Sequence, residues 1–261
     1  MKNKAKYYLI DTPPPTISGP AKPGKCGLHI GHIFSYTQAD IIANYQKYIG
    51  KNLLYPFAID NNGIPTQKSA RSIGITQSQK IIQFSIERSK DYFETFNEAG
   101  IQFSDNEYHT YSESSIRIAH KAFEFLKSKG IIYKADTEYM WCPKQKCSIS
   151  QSELNDEGII ERSGELPEIR KGTGWFINIK DYIPQIKEKI NEIDWKPERF
   201  KQNALNWADN IQWDWSISRE RHYGIPIPGE ENLTLDTWFI SSLSPQLAWN
   251  SFNGDESLDI P

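Results

Sequence analysis

Residues 7 to 40 restrict the possible fold more than any other stretch. Tyr7, Tyr8, Leu9 and Ile10 form a short apolar and aromatic run that meets Pro13, Pro14 and Pro15. Proline has no backbone N–H to give to a ladder, so the pattern predicts a strand that stops at about Asp11. A helix is expected next. Ile33, Ile41, Tyr45, Tyr48 and Ile49 recur at three-and-four spacing, which predicts an inward face, and Gly50 is the expected stop. A strand, a turn with small residues and a helix opening on His-Ile-Gly-His make half of a nucleotide-binding unit. The first-turn N–H groups are expected to be unpaired at the positive end of the helix dipole, which suits a phosphate. Gly31 would let a ligand approach the backbone, and His29 and His32, three apart, point the same way.

The chain of 261 residues is long enough for one good core and a smaller appended module. A net charge of -3 gives no overall basic field for nucleic acid, so any RNA contact would need a local patch. Three cysteines, an odd number, make no disulfide framework, and the start Met-Lys-Asn-Lys-Ala-Lys lacks the apolar stretch of a signal peptide. A cytoplasmic location is the expectation. No apolar run reaches the roughly 18 residues of a membrane span, so no membrane partner is expected.

Further along, Asn52 to Phe57 reads as a strand that ends in the polar turn Asp60-Asn61-Asn62-Gly63. In parallel α/β sheets ligands sit beyond the carboxyl ends of the strands, where Asp60 falls and where a carboxylate can pair with an ammonium group. Read alone, the same four residues are an Asx turn. Amphipathic helices are expected over 77–99, with Ile82, Ile86, Ser89, Phe93 and Phe96 inward, and over 114–128, with Ala119, Phe123 and Leu126 inward. Gly100 and Gly130 stop them. Strands and loops follow over 131–154, and a helix over 197–210. Cys142 and Cys147 are separated by four intervening residues, and two thiolates do not complete a tetrahedral site, so structural zinc is not expected. Each of the 8 tryptophans, taken singly, is more often core than ligand contact.

Four segments together carry a resemblance. Asp-Thr-Pro-Pro-Pro-Thr-Ile-Ser-Gly, then Leu-His-Ile-Gly-His, resembles the signature of class I aminoacyl-tRNA synthetases. The segment Gly174 to Ile179, the segment Ile211 to Pro228 with Trp-Ser-Ile-Ser-Arg-Glu-Arg-His-Tyr-Gly inside it, and Leu233 to Gln246 are similar to the same group. Within it the closest resemblance is to the valyl-tRNA synthetase family, above all its archaeal-type branch. Four departures stand out: the 20–27 insertion with Lys22 and Lys25, Asn61 for a second aspartate, Gly174 for glutamine, and Glu220 for glutamine.

The resemblance implies an α/β fold, a Rossmann-like class I catalytic core of parallel sheet with flanking helices and a shortened connective insertion. Its division would be 1–110 for the first half of the nucleotide fold, 111–205 for the reduced insertion and 206–261 for the start of the second half. It implies ATP and Mg2+ as cofactors, with His29 and His32 catalytic on the phosphates and Thr12, Gly31 and Asp236 also on ATP. It implies valine as the amino acid, held by Asp60 through its ammonium group and by Pro14, Thr16, Trp175, Ile211 and Trp215 around its side chain. The implied reaction forms valyl-adenylate for transfer to tRNA. The large editing domain has no counterpart, since Glu157 leads within twenty residues to Thr-Gly-Trp-Phe-Ile, so editing in cis is not expected. Nor does a Lys-Met-Ser-Lys-Ser loop or an anticodon-binding domain occur, which implies weak activity alone, or a second polypeptide that supplies the missing half. Two alternatives stay open: a non-catalytic relative acting as an amino-acid and ATP-binding or interaction protein, and an adenylate-forming enzyme with a non-tRNA acceptor.

Overall fold

The computed structural model describes residues 7–19, 27–144, 147–149, 154–161, 163–220 and 223–258. The 20–27 insertion, with Lys22, Lys25 and Cys26, lies outside the described residues except for Gly27. The chain forms two compact units, residues 1–122 with 222–261 and residues 123–221. Among the described residues no helix is long and apolar enough to cross a membrane.

The first unit begins with β1 (Tyr7–Leu9), α1 (Ile30–Tyr48), β2 (Asn52–Leu54) and β3 (Phe57–Ile59). The expected strand over Asn52 to Phe57 is therefore two. Pro56 has no N–H for the ladder, so the strand changes neighbour there: β2 pairs in parallel with β1, whereas β3 pairs in parallel with β4 (Glu107–His109). Between β3 and β4 come α2 (Ile64–Arg71) and α3 (Ser78–Glu98), and α4 (Glu113–Ser128) follows β4 and runs into the second unit. After β10 (Leu233–Leu235), the unit closes with α7 (Thr237–Ser241) and α8 (Ser244–Asn253).

Successive strand residues point to opposite faces, and the core shows it. Phe57 and Ile59 pack with Tyr36 and Ala43 of α1 and with Ile81, Phe84, Tyr92 and Phe96 of α3. Ala58 and Tyr108 pack instead with Ile118 of α4 and with Leu247 and Ala248 of α8. The result is a parallel sheet covered by helices on both faces, the doubly wound arrangement.

The face of α1 differs from the expected one. Ile41 is 63% exposed and Tyr48 87%, and Tyr45 and Ile49 are exposed too, while Tyr36, Asp40 and Ala43 are buried. Polar anchoring decided the rotation. The Tyr36 hydroxyl donates to the Pro13 carbonyl at 2.9 Å, and Asp40 accepts from the Gln102 backbone N–H at 2.9 Å and from Asn44 Nδ2 at 2.8 Å. A buried carboxylate with two donors cannot be turned to solvent without leaving the Gln102 N–H unpaired. On α3, Ser89 and Phe96 are buried as expected and Ile82 is half-buried against the core, but Ile86 and Phe93 are each 39% exposed, and Ile81, Phe84 and Tyr92 are buried in their stead. On α4, Ala119 and Phe123 are buried as expected, with Leu126 half-buried.

The second unit is built on an antiparallel sheet of β5 (Ile132–Cys142), β6 (Cys147–Ile149), β7 (Glu168–Ile177) and β8 (Trp215–Ser216), in the order β6-β5-β7-β8. Helices α5 (Ile183–Glu192) and α6 (Arg199–Asp209) and the short strand β9 (Ser218–Glu220) complete it.

Candidate functional site

The proline-rich segment 11–19 has almost no ladder of its own, so side chains from three helices hold it. Besides the Tyr36 bond, Ile17 N–H donates to Thr66 Oγ1 at 3.2 Å, Ser18 N–H donates to the Tyr92 hydroxyl at 2.8 Å, and Ser69 Oγ donates to the Gly19 carbonyl at 2.9 Å. The segment thereby reaches the end of β3. Thr16 and Asp60 form an isolated parallel bridge, and the Asp60 N–H donates to the Pro15 carbonyl at 3.0 Å. Pro14 and Thr16 are half-buried, and Asp60 is buried.

Asp60 sits at the carboxyl end of β3, where the sequence places it. Its Oδ1 accepts from the Asn62 N–H at 2.9 Å, the Asx turn that the residue types suggest, and also from Thr110 Oγ1 at 3.0 Å. Thr110 follows β4, and its own N–H donates to the Ile59 carbonyl. Sequence reasoning passed over Thr110; the signal that could have found it is its place just past Glu-Tyr-His, the next strand end of a parallel sheet. Gly63 is needed for space and not for its backbone angle: its φ is -67°, but a Cβ there would stand 2.3 Å from Thr16 Cγ2.

Asn61 is fully buried. Its Nδ2 donates to Ser85 Oγ at 2.7 Å, while the Ser85 hydroxyl donates onward to the Ile82 carbonyl at 2.7 Å. With that proton committed, Ser85 needs a donor from position 61, which an ionised aspartate cannot provide.

At the start of α1, His29 is the N-cap. The Gly31 N–H donates to His29 Nδ1 at 3.1 Å, and the His29 N–H donates to His32 Nδ1 at 3.2 Å. The His32 and Ile33 N–H groups donate to the His29 carbonyl. Three first-turn N–H groups, at 31, 32 and 33, are thus engaged, contrary to the expectation of an unpaired helix end. What the turn offers a ligand is the ring pair. A nitrogen that accepts from a backbone N–H carries no proton, so each neutral imidazole carries its proton on Nε2. Burial and the neighbouring His29 lower the His32 pKa, which favours this neutral form. Gly31 is glycine because a Cβ would stand 2.9 Å from two ring atoms of His29.

Thr12 is half-buried in the tethered segment. Asp236 is buried and caps α7, accepting from the Trp238 N–H at 2.9 Å, and the Thr237 hydroxyl lies 3.5 Å from the Asn62 carbonyl. Trp238 is 74% exposed, an indole left in the open two residues from a buried carboxylate.

Trp175, Ile211 and Trp215 belong to the second unit. Trp175 is buried. Its N–H donates to Ser218 Oγ at 2.9 Å, its ring meets the Phe123 ring at 5.1 Å in a T-shaped contact, and the ammonium groups of Lys127 and Lys134 lie 5.3 and 5.9 Å from its centroid. These are the surroundings of a packed residue, and no ligand contact follows from them. Trp215 pairs with Ile177, and Ile211 follows α6; both are half-buried. Cys142 and Cys147 stand opposite each other on β5 and β6. Among the described residues no cluster of three or more His, Cys, Asp or Glu is arranged to hold a metal ion.

A doubly wound α/β unit with a proline-rich turn, a capped His-Ile-Gly-His helix and a strand-end carboxylate has known counterparts. Residues 1–229 match the family described as tRNA synthetases class I (I, L, M and V), and the chain belongs to that family. A valine--tRNA ligase of Rickettsia akari is 35% identical over 94% of this chain and 54% of the relative, and one of Wolbachia pipientis wMel is 38% identical over 59% of this chain and 18% of the relative. The chain thus spans about half or less of the length of these curated relatives. The Rickettsia alignment runs over 443 positions, more than the 261 residues here, so the relative carries a long internal segment with no counterpart in this chain.

Among solved structures, methionyl-tRNA synthetase of Mycobacterium tuberculosis bound by methionyl-adenylate superposes with a TM-score of 0.70 at 17% identity, over 96% of this chain and 48% of that one; this likeness concerns the fold. LeuRS of Agrobacterium radiobacter K84, in a ternary complex with tRNA and LeuAMS, superposes at 0.61 with 27% identity, over 79% of this chain and 25% of that one.

Proposed function

We propose that this chain binds valine and ATP and serves valine activation, the first half of a valine--tRNA ligase reaction. The observation that carries the reading is Asp60, a buried carboxylate at a strand end, bridged to Thr16 and held by two donors. In this reading Asp60 receives the ammonium group of valine. Pro14 and Thr16, on the tethered segment, meet its side chain, and Trp238 borders the site. Trp175, Ile211 and Trp215 enter the pocket by resemblance alone. The curated relatives named valine--tRNA ligase support the choice of amino acid.

The valine carboxylate attacks the α-phosphorus of ATP. The bond from that phosphorus to the bridging oxygen breaks, giving valyl-adenylate and pyrophosphate. His29 and His32 supply neutral Nε2–H donors to the phosphate oxygens as negative charge shifts toward the leaving group. Thr12, Gly31 and Asp236 would complete the ATP site, and Mg2+ brought with the nucleotide would offset part of the phosphate charge. Positioning accounts for much of the rate in such a transfer, because carboxylate and phosphorus must be held in line. Transfer to tRNA would follow. The missing internal segment matches the resemblance to editing enzymes that have such a domain where this chain has none, so misactivated threonine would not be cleared here.

Valine-dependent ATP–pyrophosphate exchange by the 261-residue chain tests the reading. The expected result is binding of valine and ATP with slow exchange, raised by addition of a polypeptide that carries the remainder of the relatives' core. Binding of neither ligand overturns it, and exchange at the rate of a full-length relative overturns the expected dependence on that remainder.

A further inference from the structure

We propose that Thr110 is a positioning residue whose hydroxyl fixes the orientation in which Asp60 receives the ammonium group of the amino-acid substrate. This rests on the reading of Asp60 given above. A threonine hydroxyl has one proton and two lone pairs. Both lone pairs of Thr110 Oγ1 face donors: the backbone N–H of Asn61 at 2.9 Å and Nδ2 of Asn62 at 2.8 Å. One direction remains for the proton, and Asp60 Oδ1 lies along it at 3.0 Å.

The same Oδ1 accepts the Asn62 N–H at 2.9 Å, so one carboxylate oxygen is held from two sides. The carboxylate plane cannot rotate without breaking both bonds. Thr110 is itself fully buried, and the β3–β4 ladder sets its place through the bond from its N–H to the Ile59 carbonyl. A preset acceptor spares the ligand the ordering cost of turning the carboxylate after binding. The benefit reaches only ligands that place a charged donor on Asp60. Loss of the hydroxyl therefore weakens an amine and leaves its hydroxyl analogue almost untouched, which a merely structural role would not do.

Isothermal titration calorimetry of the whole chain with L-valine and with L-2-hydroxy-3-methylbutanoic acid tests this. Thr110→Val removes the hydroxyl at nearly constant volume. It is expected to weaken valine by about tenfold and the hydroxy acid by less than about twofold, and Thr110→Ser is expected to restore valine binding. If Thr110→Val does not fold, as judged by circular dichroism, Thr110→Ala carries the same expectation without any risk of overpacking. Equal weakening of both ligands overturns the proposal. So does unchanged valine binding in Thr110→Val when Asp60→Asn weakens valine selectively; in that case the reading of Asp60 stands. If Asp60→Asn fails to separate the two ligands, or the unsubstituted chain binds neither, the reading of Asp60 falls and the proposal with it.

Discussion

The imidazole rings of His29 and His32 lie 3.9 Å apart, tilted by 36°, each with Nδ1 turned inward to accept a backbone N–H. One capping arrangement thus fixes the tautomer of both rings and keeps their Nε2–H groups as donors.

The arrangement depends on Gly31, whose missing Cβ leaves room for the ring of His29. In Gly31→Ala the ring must move out of the cap. The gain of roughly 1 kcal/mol from replacing glycine inside a helix offsets the loss of an N-cap bond of about the same size, so the melting temperature should hardly change. Valine-dependent adenylate formation should nevertheless fall by about tenfold or more, the cost of misplacing one charge-stabilising donor. Intact activity in this variant would show that His29 works from some other position.

Replacing both histidines tests whether catalysis is the chain's business. In His29→Ala with His32→Ala, adenylate formation should vanish while the fold persists, with a stability loss of about 0.5–2 kcal/mol from the lost cap. A biological role that survives the double change points to a binding or interaction protein. Complementation read beside adenylate formation separates the two.

Gly63 and Thr16 form a second pair in which space decides. The Gly63→Ala methyl would stand 2.3 Å from Thr16 Cγ2, next to the Thr16–Asp60 bridge. We expect a loss of about 1–3 kcal/mol from overpacking, measured by urea denaturation. Thr16→Ser removes Cγ2 and should recover most of that loss in the double variant. Additive effects of the two changes would contradict direct contact.

Two histidines tie stability to pH. Burial lowers the pKa of His109, partly countered by Glu107, and burial followed by His29 lowers that of His32. Both groups bind protons more readily in the unfolded chain, with a usual value of 6.5, so their contribution is present above that pH and is lost as pH falls through the lower folded values. Thermal melts should show the unsubstituted chain losing more stability between pH 7 and 5 than His109→Gln does. The histidine pair at 29 and 32 is more exposed and screened, so His109 should dominate the difference.

The first strand, the helices α1, α3, α4 and α6 and the strand-end position of Asp60 were legible in the sequence, whereas α2, α5 and the break between β2 and β3 were not. Glycines at positive φ ended α1, α3 and α4, and a strand end in a parallel sheet singled out Asp60. These are local rules, set by the chemistry of one or two residues. Tertiary structure decided which way the helices face. Three apolar residues of α1 and its C-cap Ile49, which periodicity would turn inward, stand in solvent, because Tyr36 and Asp40 bind backbone groups 23 and 62 residues away. It also decided what occupies the first turn of α1 and which hydroxyl holds Asp60. Those outcomes depend on donors and acceptors that meet only when distant segments pack, and spacing along a chain carries no record of such partners.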